Sequence, residues 1–541
     1  MEARPMLGVM LDCSRNAVYT VEALYRLIDK LAAMGYNTLQ LYTEDTYEIE
    51  EEPYFGYLRG RYTCEELRAI DAYCRERGIE LQPCIQTLAH LRALQRWDHR
   101  FYRVLDQRDV LLVGEEETYQ LIERMFKTLA SCFTSRRVHI GMDEAHCLGR
   151  GRYLDLHGAA PRSEIFLAHL RRVTEIAEKY GFRPMMWGDM FYHLGTGGRY
   201  LGAELTLTEE IKSLVPENLD LVYWDYYNTE KSAYDRMNRG FAQFDRRIVF
   251  AGGAWMWAGY APLNAFSQKA TAPAMASCRE AGVRDVLITM WGDDGAECSP
   301  FSLLPTLLFA AEHARGNTDL ASIKAKFSEL FGEDFDKMMA LDLPNRPLTP
   351  GPKGDENPCR YALANDPLRG IHDLTVKEGD GRIFAAHARR LRAYAREGGE
   401  YAYLYRAMAE LASTLELKYD LGLRLRRAYR EGDREALAAA GADCRRTCRR
   451  LHRFYLALRD AWMAEKKPHG FEIQDLRLGG LERRLEHAAS MVERYLAGEL
   501  SSIPELEETL LHYRGLPTVG IPVRVTRWQD CYSPSVIWEG Q

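Results

Sequence analysis

The sequence predicts an α/β protein in which a (β/α)8 TIM barrel is followed by a mainly α-helical C-terminal domain. In roughly the first 315 residues, eight short apolar runs alternate with longer stretches of helical periodicity. From residue 382 to about residue 500 the chain shows almost only helical periodicity. The apolar runs contain few polar residues, which is typical of parallel strands covered by helices on both faces. Eight such strand–helix units predict a barrel.

The predicted strands are residues 6–12, 37–44, 79–86, 137–144, 183–189, 219–226, 247–254 and 283–292. Three of the intervening helices begin after Thr20, Thr63 and at Ser163, and each ends at a glycine, which is the expected helix punctuation. The last barrel helix covers 301–316. An open doubly wound sheet is the alternative, but it usually carries a Gly-rich loop after its first strand. The segment DCSRNAV at 12–18 has no glycine, which disfavours that fold.

The chain is predicted to divide into three parts. Residues 1–320 form the barrel, residues 321–381 form an irregular linker rich in Pro and Gly, and residues 382–541 form the helical C-terminal domain. Within the last part, 518–528 reads as extended. The segment KKPHGFEIQDLRLGGLERR at 466–484 is unusually polar, and we interpret it either as a surface turn or as a loop that reaches a neighbouring barrel mouth.

Composition limits the compartment and the partners. The formal net charge of −7 over 541 residues argues against a nucleic-acid-binding face. No apolar run approaches the ~18 residues of a membrane span, and the N-terminal apolar run is too short for a signal peptide. The twelve cysteines are scattered without a CxxC pair, as expected for reduced thiols. We expect a cytoplasmic protein without membrane or nucleic-acid partners, and a homodimer is compatible with this composition.

Polar and aromatic residues gather where the predicted strands end, which is where barrel enzymes place their reactive groups. Five of the nine tryptophans fall at four consecutive strand ends, beside carboxylates, whereas core tryptophans would be spread along the strands and helices. Aromatic faces pack against the C–H faces of a sugar, and carboxylates accept hydrogen bonds from its hydroxyls. This rim therefore predicts a carbohydrate site. The fourteen histidines are dispersed and no HxH lies on a strand, so no metal or other cofactor is expected.

The segment VHIGMDEAH at 138–146 places Asp143 and Glu144 side by side at the end of the fourth strand. Glycoside cleavage usually needs two carboxylates, one of which protonates the leaving oxygen. Adjacent residues on a strand point to opposite sides, so these two are not a simple facing pair. Where the chain turns, however, both could reach one ligand at different atoms. We infer one acid for the scissile oxygen and one for another group of the substrate.

The sequence resembles glycoside hydrolase family 20, the β-N-acetylhexosaminidases. The resemblance rests on H-x-G-x-D-E at 139–144, supported by LDCSR at 11–15, by Trp-Gly-Asp at 291–293 and by the tryptophan that ends strand six. It covers roughly residues 6–316 and implies a short subgroup without the family's N-terminal α/β domain. Met142 departs from the pattern, because many members carry Gly before the aspartate.

The resemblance implies an exo-acting enzyme that removes terminal β-linked GlcNAc or GalNAc from oligosaccharides and glycoconjugates with retention of configuration. Glu144 is implied as the general acid and then the base. Asp143 is implied to orient the substrate's 2-acetamido group, whose carbonyl oxygen attacks the anomeric carbon in place of a protein nucleophile. The implied substrate-binding residues are Arg15, His90, Trp187, Trp224, Tyr227, Trp255, Trp291 and Asp293.

These binding roles differ in kind. Three tryptophans, at 187, 224 and 255, are expected to wall the acetamido pocket, with Trp291 as the floor under the sugar. Asp293 is expected to bind distal hydroxyls, and Tyr227 to donate to the acetamido carbonyl, with Tyr226 turned into the barrel wall. His90 is expected to support the catalytic acids, with Asp45 behind it. Arg15 is either a ligand for sugar hydroxyls or a structural ion-pair partner.

Two other functions are consistent with the same rim. The first is a retaining β-glycosidase with a protein nucleophile, which needs a second carboxylate about 5 Å from Glu144, such as Asp225 or Asp293. The second is a non-catalytic glycan-binding barrel, in which the acid pair is dispensable.

Overall fold

Eight parallel strands close into a barrel in the computed structural model, which describes residues 4–196, 199–201, 204–349, 359–515, 517 and 528–535. The barrel strands are β1 (Leu7–Asp12), β2 (Thr38–Thr43), β3 (Glu80–Ile85), β6 (Arg137–His139), β7 (Arg183–Trp187), β8 (Asp220–Trp224), β9 (Ile248–Gly253) and β10 (Asp285–Met290). They follow one another around the barrel in sequence order, and β1 pairs with both β2 and β10. A separate antiparallel pair, β4 (Leu105–Gln107) and β5 (Val110–Leu111), was not predicted. The predicted (β/α)8 fold is confirmed.

The helices alternate with the barrel strands and then continue alone. They are α1 (Val21–Ala33), α2 (Cys64–Glu76), α3 (Asp98–Phe101), α4 (Glu116–Cys132), α5 (Arg152–His157), α6 (Arg162–Lys179), α7 (Asp189–Thr196), α8 (Glu209–Ser213), α9 (Lys231–Ala242), α10 (Asn264–Glu280), α11 (Leu304–Ala314), α12 (Leu320–Phe331), α13 (Phe335–Met339), α14 (Cys359–Ala364), α15 (Ile383–Glu397), α16 (Ala402–Lys418), α17 (Leu421–Arg430), α18 (Arg434–Met463), α19 (Glu472–Leu496), α20 (Pro504–Glu507) and α21 (Trp528–Tyr532). Short 3-10 helices cover Arg92–Trp97, Pro300–Leu303, Ala340–Asn345, Asp373–Thr375, Asp380–Arg382 and Tyr513–Gly515. Among the described helices, none combines the length and the apolar character that a membrane crossing requires.

Two of the three predicted helix caps are present. The Thr20 hydroxyl accepts a hydrogen bond from the Ala23 backbone N–H, and Thr63 and Glu66 form a reciprocal capping box. The prediction that Ser163 caps α6 is wrong, since that helix begins at Arg162 after Pro161 and has no side-chain cap. Pro161 occupies the N-cap position, with φ −59° and ψ 129°, and its ring offers no side-chain acceptor for the first N–H groups.

The fourth barrel strand is shorter than predicted. β6 ends at His139, so Asp143 and Glu144 lie in the following loop rather than on the strand. Positive φ angles at Gly141, Met142 and Glu144, of 71°, 69° and 49°, turn the chain out of the extended conformation. This turn decides where the two carboxylates point.

The barrel interior holds its own apolar core, separate from the core between strands and helices. Its members include Met10, Tyr42, Cys84, Met185, Val222, Val249 and Leu287, below an aromatic layer of Trp187, Tyr226, Trp255, Trp257 and Trp291. At the opposite, N-terminal end of the strands, Arg137 and Arg183 pair with Asp220 at 3.1 and 2.8 Å, and Arg247 pairs with Asp285 at 2.7 Å. Ion pairs at this end serve stability, because the chemistry of barrel enzymes lies at the C-terminal end.

The segment predicted as an irregular linker, residues 321–381, contains regular structure. The Asp319 side chain caps α12, and Gly332 ends that helix in the left-handed conformation. Ile323 and Phe327 bury its inner face. The prediction gave too much weight to the Pro- and Gly-rich stretch 348–358, of which 350–358 lies outside the described residues. Residues 518–527 of the predicted extended stretch also lie outside them.

The polar segment 466–484 is not a solvated surface turn. Most of it is the start of α19, and it packs on the mouth of the chain's own barrel. Thr20 N–H donates to the Glu465 carbonyl at 3.0 Å, and Lys467 N–H donates to the Val18 carbonyl at 2.8 Å. Lys466 Nζ is buried and donates to the Ala296 carbonyl at 2.7 Å. The C-terminal helices are therefore attached to the loops that follow β1 and β10.

Candidate active site

A cavity of about 910 Å³ opens at the C-terminal ends of the barrel strands. It is lined by Arg15, His90, Asp143, Glu144, Trp187, Trp224, Tyr227, Trp291 and Asp293 of the predicted site residues. Trp255, which was also predicted to wall it, is not in the lining. Glu44, Tyr226, Trp257, Ile473 and Arg477 line it as well. The predicted rim is thus one continuous cavity.

Asp143 is held as a carboxylate by two neighbours. Gln86 Nε2 donates to its Oδ1 at 2.9 Å, and His90 Nε2 lies 3.2 Å from its Oδ2. Burial alone would raise the pKa of Asp143, but the His90 charge and these contacts outweigh it and lower the pKa to about 2. Asp143 is therefore ionised throughout the neutral range.

His90 lies between the two acids. Its Nε2 is 3.2 Å from Asp143 Oδ2 and 3.8 Å from Glu144 Oε2. Burial lowers the pKa of His90, but the Asp143 charge and contact dominate and raise the pKa to about 9. The imidazolium form prevails at neutral pH, so the site contains a fixed cation beside the acid pair.

Glu144 differs from Asp143 in its exposure. Its side chain is 49% exposed, whereas that of Asp143 is 12% exposed. Both carboxylates contact one imidazole, so they reach the same side of the cavity although they are adjacent in sequence. The more exposed Glu144 is placed to meet incoming groups, and the more buried Asp143 is fixed by its neighbours.

Gln86 also fixes the turn that carries the acids. Its Oε1 accepts a hydrogen bond from Met142 N–H at 3.2 Å, and a Cβ at Gly141 would lie 2.1 Å from the same oxygen. Gly141 is therefore required both by its positive φ and by the approach of Gln86. Met142 adopts the same left-handed region with a fully buried side chain. Glycine suits position 142 because it adopts this backbone conformation without strain. The methionine contributes buried apolar surface instead.

His139 supports the wall beneath the acids. Its Nδ1 accepts a hydrogen bond from Gly141 N–H at 3.1 Å, and its ring packs on Trp187 with centroids 4.4 Å apart. Burial lowers the pKa of His139 to about 3, so the ring is neutral. The ring packs between the turn and Trp187. Because Nδ1 accepts a hydrogen bond, the single ring proton is on Nε2.

Tryptophans and tyrosines form the walls of the cavity. The Trp187 and Trp291 rings lie 5.7 Å apart, and Trp224 stacks on Tyr226 at 5.5 Å. Trp257 contributes the wall that was assigned to Trp255. Trp255 lies behind it, with the rings stacked at 4.5 Å and its Nε1 donating to the Tyr226 carbonyl at 3.0 Å. At this position the cavity is therefore lined by Trp257 and not by Trp255.

Both tyrosines after strand β8 line the cavity. Tyr227 is 45% exposed, and its ring meets Trp255 edge-on at 5.5 Å. Tyr226 is 6% exposed and also faces the cavity, so the expectation that it turns into the barrel wall is wrong. Asp225 holds this turn by accepting hydrogen bonds from Tyr227 N–H at 3.1 Å and Asn228 Nδ2 at 2.6 Å.

Arg15 forms the ion pair that was one of its two expected roles, and its contact with sugar hydroxyls stays a prediction. Its Nε donates to Glu44 Oε1 at 2.8 Å, and its side chain also lines the cavity. Asp293 faces the same cavity with a positive φ of 39°. Burial raises the pKa of Asp293 to about 6, against the opposing effect of Arg15. Tyr42 O–H completes this group by donating to Glu44 at 3.2 Å.

Two further acids near the strand ends have other partners. Asp45 pairs with Arg59 at 3.2 Å rather than with His90, so its expected support of His90 is not seen. Asp189 is buried, and burial together with the charges of Asp143 and Glu144 raises its pKa to about 8. It therefore carries a proton at neutral pH and adds no charge to the site.

Two arginines from the C-terminal region bind the loop after β10. Arg477 donates to the Asp294 carbonyl at 2.9 Å and to its carboxylate at 2.8 Å, and it lies 3.2 Å from Glu297. Arg360, which is fully buried, pairs with Glu297 at 2.7 Å. Trp291 and Asp293 belong to this loop, so α19 and α14 fix two of the predicted sugar-binding residues.

Sequence reasoning missed Gln86, Tyr226, Trp257 and Arg477 as site residues. Gln86 and Trp257 stand at predicted strand ends, so their position was the available signal. Arg477 lies in the polar segment 466–484, which the sequence marked as a possible loop at a barrel mouth, but nothing in that segment singled out Arg477 itself. Among the described residues, no cluster of three His, Cys, Asp or Glu side chains is placed to hold a metal ion.

Paired carboxylates between aromatic walls, at the C-terminal mouth of a (β/α)8 barrel, are the arrangement expected of the glycoside hydrolase class. Residues 5–242 match the model of the glycosyl hydrolase family 20 catalytic domain. Residues 333–521 match the model of the glycoside hydrolase 20C C-terminal domain. The chain belongs to glycoside hydrolase family 20, as the segment 139–144 predicted.

Two curated relatives show the extent of the sequence similarity. A β-hexosaminidase of Vibrio furnissii is 31% identical over 173 residues, which are 25% of this chain and 28% of the relative. The β-hexosaminidase subunit beta of Sus scrofa is 24% identical over 307 residues, which are 47% of this chain and 55% of the relative. The chain thus spans between about a quarter and about a half of the length of these curated relatives.

Solved structures with similar folds include two family members. The exo-β-N-acetylglucosaminidase of Vibrio harveyi is 18% identical, with 60% of this chain and 58% of that chain covered and a TM-score of 0.45. The chitobiase of Flavobacterium johnsoniae is 16% identical, with 93% and 74% covered and a TM-score of 0.46.

Proposed function

We propose that the chain is an exo-acting β-N-acetylhexosaminidase that hydrolyses terminal non-reducing β-linked GlcNAc or GalNAc by substrate-assisted catalysis. The observation that carries this proposal is the pair of adjacent carboxylates in contact with one imidazolium. Asp143 is buried and locked as an anion, while Glu144 is half exposed. Such a pair divides into one group that stabilises positive charge and one that exchanges a proton with the ligand.

Glu144 acts on the glycosidic oxygen. In the first step it gives its proton to the leaving oxygen as the bond from the anomeric carbon to that oxygen breaks. The substrate's acetamido oxygen forms the new bond to the anomeric carbon, which gives a cyclic oxazolinium intermediate. The half-exposed position of Glu144 suits this role, because the leaving group departs toward the cavity mouth.

Asp143 acts on the acetamido nitrogen. When the acetamido oxygen attacks, positive charge develops on the N–H group, and a carboxylate that accepts this hydrogen bond stabilises the transition state. Asp143 is prepared for this role because Gln86 and His90 fix both of its oxygens. The fixed geometry means that little reorganisation is needed during the reaction.

Water completes the cycle. Glu144, now a carboxylate, takes a proton from a water molecule that attacks the anomeric carbon, and the bond to the acetamido oxygen breaks. Two displacements at one carbon give net retention of configuration. The aromatic walls, including Trp187, Trp224 and Trp291, are placed to hold the sugar and the acetamido methyl group while most solvent is excluded.

A protein nucleophile is the second candidate mechanism, and one residue in the cavity favours it. Asp293 lines the cavity, whereas Asp225 is buried and fully engaged with its own turn. Burial raises the pKa of Asp293 to about 6, so its ionised form is available at neutral pH. A thiazoline analogue of the acetamido sugar separates the mechanisms, since it mimics the cyclic intermediate that only the substrate-assisted route forms.

Turnover of 4-nitrophenyl β-GlcNAc, β-GalNAc and β-glucoside, measured side by side, tests the proposed function. We expect turnover of the two acetamido sugars and almost none of the glucoside. In the Glu144→Gln variant, kcat/KM for a β-GlcNAc substrate with a poor leaving group should fall by about 10²–10⁴-fold while sugar binding is retained. Glu164→Gln, at an exposed position on α6, is the matched control. Equal turnover of the glucoside would refute the acetamido mechanism, and unchanged turnover in Glu144→Gln would refute the role of Glu144.

A further inference from the structure

We propose that Tyr54, Tyr57 and Trp97 form a second carbohydrate-binding surface, here called the aromatic platform, which holds the sugars on the leaving-group side of the cleaved bond. This inference rests on the proposed function. It deepens that function by assigning an extended glycan, rather than a single sugar with a small aglycone, as the substrate class.

The three rings of the aromatic platform contact one another on the protein surface. Centroid distances are 5.6 Å between Tyr54 and Trp97, 5.2 Å between Tyr57 and Trp97, and 6.0 Å between the tyrosines. Despite these contacts, Tyr54 and Tyr57 remain 44% and 45% exposed. A cluster that served only packing would bury these rings, so the exposed faces are available to a ligand.

The aromatic platform is continuous with the catalytic cavity along two separate segments. Arg59, two residues after Tyr57, lines the cavity, and so does Arg96, the residue before Trp97. Two residues of fully extended chain span at most about 7 Å. The Cα atoms of Tyr57 and Trp97 therefore lie within about 7 Å and about 4 Å of the Cα atoms of two residues that line the cavity.

Contacts at the acid pair place the aromatic platform on the leaving-group side. Glu144, which acts on the leaving oxygen, lies 3.8 Å from His90 Nε2. His90 lies two residues before the 3-10 helix Arg92–Trp97, whose residues Arg92, Gln95 and Arg96 line the rim. A glycan that continues beyond the glycosidic oxygen passes Glu144, follows this helix and reaches Trp97.

Backbone strain lies at the same surface. Leu58, between Tyr57 and Arg59, has a φ of 61° and is 67% exposed. A bulky residue is uncommon in the left-handed region, and an exposed leucine gains no burial there that would offset the strain. Such strain collects at ligand-contacting loops, where the surrounding structure holds the backbone in place.

The chemistry of the surface suits a sugar better than a protein partner. A fully exposed aromatic side chain presents about 150–250 Å², so two half-exposed tyrosines and a partly buried tryptophan offer roughly 250 Å². A stable protein interface needs about 800 Å² per partner. Arg96 is exposed at the rim and has no ion pair within the described part of the chain, so it can donate hydrogen bonds to sugar hydroxyls.

The test compares a long and a short ligand. For wild type and for Tyr57→Ala and Trp97→Ala, kcat/KM is measured with a β-1,4-linked GlcNAc tetrasaccharide and with 4-nitrophenyl β-GlcNAc. We expect the ratio of tetrasaccharide to nitrophenyl substrate to fall about tenfold in both variants, which corresponds to about 1.4 kcal/mol. Tyr102→Ala removes an even more exposed tyrosine, at 61%, that stacks on Arg152 instead, and its ratio should match wild type within twofold.

A binding measurement keeps the aromatic platform testable even if the proposed function fails. Titration of the tetrasaccharide and of GlcNAc into Glu144→Gln and into the Glu144→Gln, Trp97→Ala double variant is followed by calorimetry. The tetrasaccharide should lose about tenfold in affinity in the double variant and GlcNAc should not. Unchanged ratios and affinities would overturn the inference. A changed oligomeric mass with unchanged ratios would identify the surface as an interface between two copies and would also overturn it.

Discussion

Removal of the charge on His90 should shift the acidic side of the pH–activity profile to higher pH. In His90→Asn the cation beside Asp143 is lost, while asparagine tolerates the φ of 61° at this position. A histidine pKa raised from 6.5 to about 9 corresponds to about 3 kcal/mol. An Asp143 pKa lowered from 3.8 to about 2 corresponds to about 2 kcal/mol. Both values describe one interaction and are not summed. Burial opposes the ionisation of both groups, so each pKa shift is what remains after that cost. We therefore take about 2–3 kcal/mol as the net contribution of the pair.

The assay is the pH dependence of kcat/KM with 4-nitrophenyl β-GlcNAc. In wild type, Asp143 stays ionised down to about pH 2, so its ionisation does not limit activity at pH 4. In His90→Asn, burial of the carboxylate is no longer opposed by the imidazolium, and the acid limb should rise to about pH 4 or above. His99→Asn, at an exposed position on α3, is the control and should keep the wild-type profile. An unmoved acid limb in His90→Asn would refute the coupling of His90 to Asp143.

Stability should change with pH in a defined direction. The raised pKa of His90 contributes stability that is full below pH 6.5 and is lost as the pH rises through about 9. The lowered pKa of Asp143 contributes stability that is present above pH 3.8 and is lost as the pH falls through about 2. The destabilisation of His90→Asn, measured by urea unfolding, should therefore be largest between about pH 4 and 6.5. It should shrink above pH 9, and a constant difference across this range would contradict the assignment.

Other variants test the loop after β10 and the turn at the acid pair. Arg477→Ala removes the hydrogen bonds to Asp294 and should raise KM for 4-nitrophenyl β-GlcNAc about tenfold. Arg477→Lys should recover only part of this loss, because lysine lacks the planar set of donors that arginine presents. An unchanged KM in Arg477→Ala would show that α19 does not position this loop. Met142→Gly relieves a left-handed backbone conformation, worth about 1–2 kcal/mol, but removes a buried side chain worth about 2–5 kcal/mol. We expect a net loss of about 2 kcal/mol in urea unfolding, and a gain in stability would show that strain dominates.

The sequence was sufficient for features that depend on local periodicity. Apolar runs separated by amphipathic helices predicted all eight barrel strands, and the rule that catalytic groups stand at strand ends predicted most of the cavity lining. The helix punctuation at Thr20 and Thr63 was equally local. Each of these features depends on spacing along the chain, which the sequence displays directly.

Features that depend on contacts between distant segments were not predictable. Residues 255 and 257 are both tryptophan and stand two positions apart after β9. Only the conformation of the turn that follows β9 decides which of them faces the cavity. The end of β6 at His139 depends on the approach of Gln86 from β3. Arg477 reaches Asp294 because α19 packs on the barrel mouth. The polarity of 466–484 indicated a contact of this kind as one of two alternatives, but it could not identify Asp294 as the partner.

Participation of the substrate's own acetamido group is the central claim, and one measurement tests it most directly. The chain is assayed with 4-nitrophenyl β-glycosides whose N-acetyl group carries zero, one, two or three fluorine atoms. Fluorine withdraws electrons from the carbonyl oxygen and weakens it as a nucleophile. We predict a steady fall in kcat/KM, by about a hundredfold or more across the series, which corresponds to about 2.7 kcal/mol in the barrier. Values that stay within a fewfold of one another would contradict the account and would favour a protein carboxylate as the nucleophile.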